Sequence, residues 1–532
     1  MKGNQSGWPG AALIAALFGA LIAVDVFCIG PDTLPPAAVL RRYVGLLYVI
    51  AHVGIVLIPC LLFGRWSKIL YIPLWMMFSV LLLAEGFALA NFGMRLEGEW
   101  VEIVCASSWT EVREFLGMYV SPSNVLLLVV FLVVVLAGSC ALFALRMPSV
   151  RIVNLAFAML LLLPSVAMVV AFPKSKGFCC RLPTMKGMVL AQRHWQSIRG
   201  DEYKWPDDAR IAGVTGPTNG VFAVFVIGES ATRSRWSLYG YARPTTPRMD
   251  ALKDDLYVFK DLVTPACLTP KACRWLFTDA EYGRDEVRCS FCSLCSAAGL
   301  WQRMVSSQDH WSTIDGFDAL LFSACDEKEW LADRAGRVYD EMHVNQVAAA
   351  LRGVPESAPC VLYCHLMGSH VPFSERCPDG FTIGWDDPYD RTIAYTDCVL
   401  GAIVEALRQA HRPSVMVYVS DHGENTVRTS RFRNQGDRCI WEVPFIVWTS
   451  KEYRLAYPEV CRALSSAVDR PLQSDQLFPA FAKIVGISDP GNSDVRRDPL
   501  ASEFEPRNPR MVLYGNAWTS WEEVKARISR QE

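Results

Sequence analysis

Three short segments of this chain end in residues that can hold a metal ion or move a proton. Val226-Ile227-Gly228-Glu229-Ser230 places a carboxylate after an apolar run. His365-Leu366-Met367-Gly368-Ser369-His370 carries two imidazoles, and Val419-Ser420-Asp421-His422-Gly423-Glu424 joins a carboxylate to an imidazole. Carboxylate oxygen and imidazole nitrogen are suitable zinc ligands. Each motif alone is weak, because a carboxylate after an apolar strand is common and Asp-His-Gly also occurs as a turn. Three such ends in one domain are harder to dismiss. The segment Thr264-Pro265-Ala266-Cys267-Leu268-Thr269-Pro270-Lys271-Ala272-Cys273 offers a nucleophile. Proline suits the first position of a helix, so Thr269 is expected as the N-cap. Its hydroxyl then lies at the positive end of the helix dipole, where an anionic phosphoryl group is stabilised. Local sequence by itself favours plain capping without catalysis. Lys271, Arg274, Arg233 and Arg235 lie near these motifs and could bind phosphate, although solvated surface charge is the simpler reading of each.

The elements that must carry these residues follow from residue 221 onward. Val221–Gly228, Cys360–His365, Ser414–Ser420 and Val443–Trp448 read as strands, with helical patterns at 343–353, 391–410 and 474–486. Continuous apolar strands separated by helices predict an α/β domain with a mainly parallel sheet. Such sheets bind ligands at the carboxyl ends of their strands, where the three motifs fall.

The first third of the chain is different. Apolar runs at 11–30, 43–63, 69–91, 124–145 and 152–172 are each long enough to cross a bilayer as a helix, which takes about 20 residues. Residues 1–172 therefore read as a five-helix transmembrane domain, 173–219 as a membrane-proximal linker or interfacial helix, and 220–532 as a soluble domain. Arg65, Lys68, Arg146 and Arg151 mark the loops after the second and fourth spans as cytoplasmic. The acidic loop at 92–123 and everything after residue 172 then lie outside, with Arg41 and Arg42 against the trend. Asp25, His52 and Glu85 fall inside spans, read here as facing the bundle interior or an interface. Lys plus Arg is 52 against 54 for Asp plus Glu, so no basic field points to nucleic acid. Eighteen cysteines are many for a cytosolic enzyme, and fourteen lie between Cys179 and Cys461. Outside the cytoplasm many could pair, with Cys179–Cys180 and the Cys289, Cys292, Cys295 cluster as the first places to look. That cluster lacks the second pair or the histidine spacing of a zinc knuckle.

Taken in order, Val226–Ser230, Ser237-Leu238-Tyr239-Gly240-Tyr241, Thr245-Thr246-Pro247, the Thr269 segment, His365–His370, Tyr395-Thr396-Asp397, Ser420–Glu424 and Val443-Pro444-Phe445-Ile446-Val447-Trp448 resemble the phosphoethanolamine transferases. These form part of the sulfatase-like branch of the alkaline phosphatase superfamily. The Ser-Leu-Tyr-Gly-Tyr form resembles members that modify the lipopolysaccharide core. The resemblance implies an alkaline-phosphatase/sulfatase-like sandwich and an N-terminal α-helical transmembrane bundle in a bacterial inner membrane, with the catalytic domain in the periplasm. It also implies zinc held by Glu229, Thr269, Asp421 and His422, with Thr269 as nucleophile and His370 and His365 lining the substrate pocket. Phosphatidylethanolamine would be the donor, and lipopolysaccharide (lipid A or core) or a glycan the acceptor; a monomer is expected. One departure stands out. The family usually carries another pocket histidine after Asp-His-Gly, whereas this chain has none after His422, and Cys439 lies near that place. The alternatives are a phosphoglycerol transferase, a phosphodiesterase, a sulfatase or a non-catalytic binding module. Cys267-Leu268-Thr269-Pro270-Lys271 only superficially matches the Cys/Ser-x-Pro-x-Arg context of a sulfatase.

Overall fold

A computed structural model describes residues 68–92, 112–114, 120–144 and 213–529, with single positions 66 and 117. Breaks fall at 284–286, 288, 309–320, 334–336, 427–437, 489–493 and 515–516. The chain divides into two compact units. One comprises Met1–Cys105 and Phe115–Gly200, the other Ala106–Glu114 and Asp201–Glu532.

In the first unit two apolar segments are helical: α1 (Lys68–Phe92) and α2 (Pro122–Ala144). They pack together, and the Trp75 indole N–H donates to the Val135 carbonyl at 3.2 Å. At 1.5 Å per residue, the 23 residues of α2 extend about 34 Å. Counted over the described residues alone, no helix is long and apolar enough to cross a membrane. Yet the full α2 sequence carries no charged residue, and Leu126, Val129, Val133 and Leu136 point outward. The expected spans at 11–30, 43–63 and 152–172, with Asp25, His52 and Cys179–Cys180, lie outside the described residues; Glu85 falls in α1.

The second unit is built on a seven-stranded sheet. Its strands are β1 (Phe222–Gly228), β2 (Leu256–Phe259), β4 (Trp301–Ser306), β5 (Glu327–Trp330), β6 (Cys360–His365), β7 (Ser414–Ser420) and β8 (Phe445–Thr449). A separate pair joins β3 (Asp261–Val263) to β9 (Pro471–Gln473). The order in the large sheet is β2-β8-β7-β1-β6-β4-β5. The five strands from β7 to β5 are parallel, and β8 runs antiparallel to both β7 and β2. The helices α3 (Thr269–Phe277), α4 (Met342–Gly353), α5 (Pro388–Gln409) and α6 (Leu477–Ile484) flank it.

All residues of β1, β6 and β7 are buried. Alternation sends Ala223, Phe225 and Ile227 into one core with Tyr363, Val417 and Phe481. Phe222, Val224 and Val226 enter the opposite core with Leu362, Tyr418 and Trp448. Covering both faces explains why these strands read as unbroken apolar runs. Thus β6 and β7 have the expected bounds, and β1 and β8 shift by one or two residues. Three strands of the large sheet gave no signal: β2 is a partly buried edge strand, β5 is the charged edge Glu-Lys-Glu-Trp, and β4 contains Gln302 and Arg303. Buried Gln302 is satisfied by accepting from Tyr363 Oη and donating to the Cys292 carbonyl. The 474–486 helix is shorter than expected, a 3-10 turn at Ser474–Gln476 followed by α6.

No disulfide joins the described cysteines, which corrects the expectation for Cys289, Cys292 and Cys295. These three lie in or beside the helix Phe291–Ala297 and pack into the core as small apolar groups, with Cys292 Sγ 3.4 Å from Cys325 Sγ.

Candidate metal centre and nucleophile

β1 sits between β7 and β6, so its carboxyl end is flanked by the ends of both neighbours. Glu229 follows β1, Asp421 and His422 follow β7, and His365 is the last residue of β6. Ligand atoms of Glu229, Asp421 and His422 lie within 4.8 Å of one another, and all three residues are fully buried. His422 Nε2 is 3.3 Å from Asp421 Oδ2 and 3.6 Å from Glu229 Oε1. On the far side of the ring, Nδ1 lies 2.8 Å from the Gly423 carbonyl. A carbonyl can only accept, so Nδ1 carries a proton, and Nε2 is the ring nitrogen on the side of the carboxylates.

The carboxylates themselves are held firmly. Asp421 Oδ1 accepts from Ser230 N at 3.1 Å and His422 N at 2.6 Å, while its Oδ2 is buried without a hydrogen-bond partner. Burial, reinforced by Glu229, pushes the Asp421 carboxyl well above the ordinary carboxylate range. Three acceptors converging in a buried space are what a divalent cation resolves, and this donor set suits zinc. Ser230 adopts a left-handed conformation at φ 57°, which costs a non-glycine residue roughly 1–2 kcal/mol. It is fixed by Asp421 and by the Tyr389 hydroxyl, which donates to the Ser230 carbonyl at 2.7 Å.

Thr269 is the first residue of α3 and not its cap; Leu268 occupies that place. The Thr269 hydroxyl is turned instead to Glu229 Oε2, to which it donates at 2.8 Å. Cys267 packs into a different apolar cluster with Val263, Ile440 and Trp441. Of the two candidate nucleophiles in this segment, the threonine is therefore the one beside the trio; the Ser230 hydroxyl also reaches Glu229, donating to its Oε1 at 2.6 Å.

His365 connects to the trio indirectly. Gln308 Nε2 lies 3.1 Å from His365 Nε2 and 3.3 Å from Glu229 Oε2. Gln308 escaped the sequence reading because it follows β4, a strand that gave no signal. His370 stands at the end of the loop after β6, outside the trio, with Nδ1 2.7 Å from the Val371 carbonyl. Arg376 braces that loop end by donating to the His370 and Val371 carbonyls, and it also pairs with Glu114. Cys439 is not brought into the trio. Its buried thiol donates to the Glu424 carbonyl at 3.3 Å.

Arg233 and Arg235 are not solvated charges: their side chains are only 13% and 19% exposed. Arg233 pairs with Glu442, and Arg235 with Asp387 and Asp390. Lys271 and Arg274 are partly buried on α3. Other parts of the motif set are structural. Asp397 accepts from Arg248 N and Met249 N at 2.9 Å each, fixing the helix Pro247–Ala251.

This sheet, with its mainly parallel order, defines an α/β domain of the alkaline-phosphatase/sulfatase type. Residues 222–487 match the sulfatase family model, and the chain belongs to that family. Among its relatives is phosphoethanolamine transferase EptC of Escherichia coli K12, 24% identical over 499 residues, which cover 85% of each chain. The periplasmic domain of Escherichia coli EptC, solved in complex with Zn, aligns at a TM-score of 0.53 and 24% identity, covering 60% of this chain and 97% of that one. An integral membrane lipooligosaccharide phosphoethanolamine transferase A from Neisseria meningitidis aligns at a TM-score of 0.68 and 17% identity. That match covers 93% of this chain and 98% of the other.

Proposed function

We propose that this chain is a zinc-dependent phosphoethanolamine transferase of a bacterial inner membrane, acting through a covalent Thr269 intermediate. The observation that carries the reading is the Thr269 hydroxyl held 2.8 Å from Glu229 Oε2, beside three buried acceptors that call for a cation. Glu229, Asp421, His422 and Thr269 would hold zinc, which when bound makes the threonine alkoxide accessible near neutral pH and offsets charge on the phosphoryl oxygens.

In the first half-reaction Thr269 Oγ1 forms a bond to phosphorus of phosphatidylethanolamine. The ester bond to glycerol breaks, and diacylglycerol leaves with a proton. In the second, an acceptor oxygen of lipopolysaccharide or a glycan attacks the same phosphorus, the bond from phosphorus to Thr269 Oγ1 breaks, and the acceptor's proton returns to Thr269 Oγ1. His370 and His365 are the groups assigned to proton transfer at the leaving and entering oxygens. The names of the relatives support the phosphoethanolamine group, and that of the Neisseria protein supports a lipooligosaccharide acceptor.

A lipid donor explains a membrane anchor. The outward apolar side chains of α1 and α2 need a cover that water does not provide. With the runs at 11–30, 43–63 and 152–172, they make the proposed five-span domain, and 220–532 is the proposed periplasmic catalytic domain. The test is diacylglycerol release from phosphatidylethanolamine by purified protein. Release that is lost on chelation and regained with zinc supports the reading. Release from phosphatidylglycerol alone would turn it to phosphoglycerol transfer.

A further inference from the structure

The loop after β6 carries His370 and touches the metal centre, yet its conformation is imposed by a side chain from another element. Asp340, just before α4, is 2% exposed. Its Oδ1 accepts from Met367 N and its Oδ2 from Gly368 N, each at 2.8 Å. Both carboxylate oxygens are thus engaged by successive backbone amides, a charge-assisted bracket. Gly368 has φ 52°, and a Cβ there would lie 2.7 Å from the Glu229 carbonyl oxygen. One residue on, Ser369 N donates to that same carbonyl at 2.9 Å. The start of α4 grips the other side of the loop as well. The buried His343 ring lies 2.9 Å from Ser307 Oγ, and Ser307 N donates to the His365 carbonyl at 2.8 Å. Because Gly368 packs directly on the backbone of Glu229, which follows the buried strand β1, a shift of the loop moves His370 relative to Glu229.

We propose that Asp340 is a positioning residue for the transfer reaction, setting the His365–His370 loop against Glu229. The kinetic part rests on the transferase reading; the bracket itself does not.

Asp340→Asn keeps the volume but turns an amide NH2 toward one of the two N–H donors. In the full-length zinc-loaded protein it is expected to lower kcat for diacylglycerol release about 10–100-fold, with the donor KM changed by less than about 3-fold. Zinc content should stay unchanged. Because the loss acts through the histidine loop, the same substitution in a His370→Ala background should cost little more, by less than about 3-fold. Val347→Ala, a cavity on the buried face of α4, controls for lost stability and should leave kcat near wild type. Amide exchange at Met367 and Gly368, slow in the wild type, should become at least about 10-fold faster in Asp340→Asn. Protected amides in the variant, a fully additive loss with His370→Ala, or an equal loss in Val347→Ala would overturn the proposal. If the wild type releases no diacylglycerol, the transferase reading fails, and amide exchange still decides whether the bracket exists.

Discussion

His422 Nε2 lies within 3.6 Å of two buried carboxylates, a set of groups that a cation would hold together. The Nδ1–Gly423 contact fixes that orientation, as the second contact of a metal-binding histidine ordinarily does. Asp421→Asn would keep the shape of the site and remove one charge. Zinc content measured by metal analysis after dialysis should fall at least about 10-fold, with diacylglycerol release falling alongside. Undiminished zinc would move the metal site elsewhere. Thr269→Ser should retain part of the activity and Thr269→Ala essentially none, a loss of about a thousandfold or more in kcat. At this scale the sequence was readable where a residue directly ends an apolar strand, as Glu229, Asp421 and His422 do. It misled at Thr269, whose capping signal was genuine in type although the hydroxyl is spent on Glu229. It was silent on Gln308, which follows a strand that gave no signal, and on Asp340, which precedes a helix whose pattern is visible, because their roles come from contacts distant in sequence.

Elements hold the site by close approach as much as by side chains. At Gly423 an added Cβ would meet the Cys439 carbonyl oxygen, so the turn after Asp421 and His422 packs backbone to backbone on the Cys439 segment. Gly423→Ala should therefore cost about 1–3 kcal/mol or more and lower zinc retention, read by thermal melts with and without metal. A melt unchanged from wild type would contradict this packing. Asp397, which anchors the helix Pro247–Ala251, has its pKa pushed up to about 6 from 3.8, chiefly by burial. The folded state binds this proton more tightly than the unfolded state. The group's contribution is therefore full below pH 4 and is lost as pH rises through about 6, a change of at most about 3 kcal/mol. The stability difference between wild type and Asp397→Asn should be largest near pH 4 and shrink by pH 7; a pH-independent difference would refute the assignment. Strands buried on both faces were legible because burial writes a continuous apolar run. The edge strands β2 and β5 and the mixed β4 take their place from pairing partners, which no local pattern records.

On the scale of the whole molecule, the proposed function has an apolar N-terminal third and an α/β remainder divide the work between reaching a lipid and cleaving it. The contrast in composition is plain in the sequence, where the apolar runs are each about as long as a bilayer-spanning helix needs. Disulfide pairing was not, because connectivity depends on geometry, and the described cysteines of the α/β unit are mostly core residues. If three acceptors are buried for a cation, removing that cation leaves their repulsion uncompensated. Chelation should then lower the melting temperature of the catalytic unit, and zinc should restore it.

The most direct test of the central claim is intact-protein mass spectrometry after incubation with phosphatidylethanolamine and no acceptor. The account predicts a phosphoethanolamine adduct that maps to Thr269 and is absent from Thr269→Ala and from chelator-treated protein. An adduct on another residue, or diacylglycerol release without any adduct on zinc-loaded protein, would contradict it.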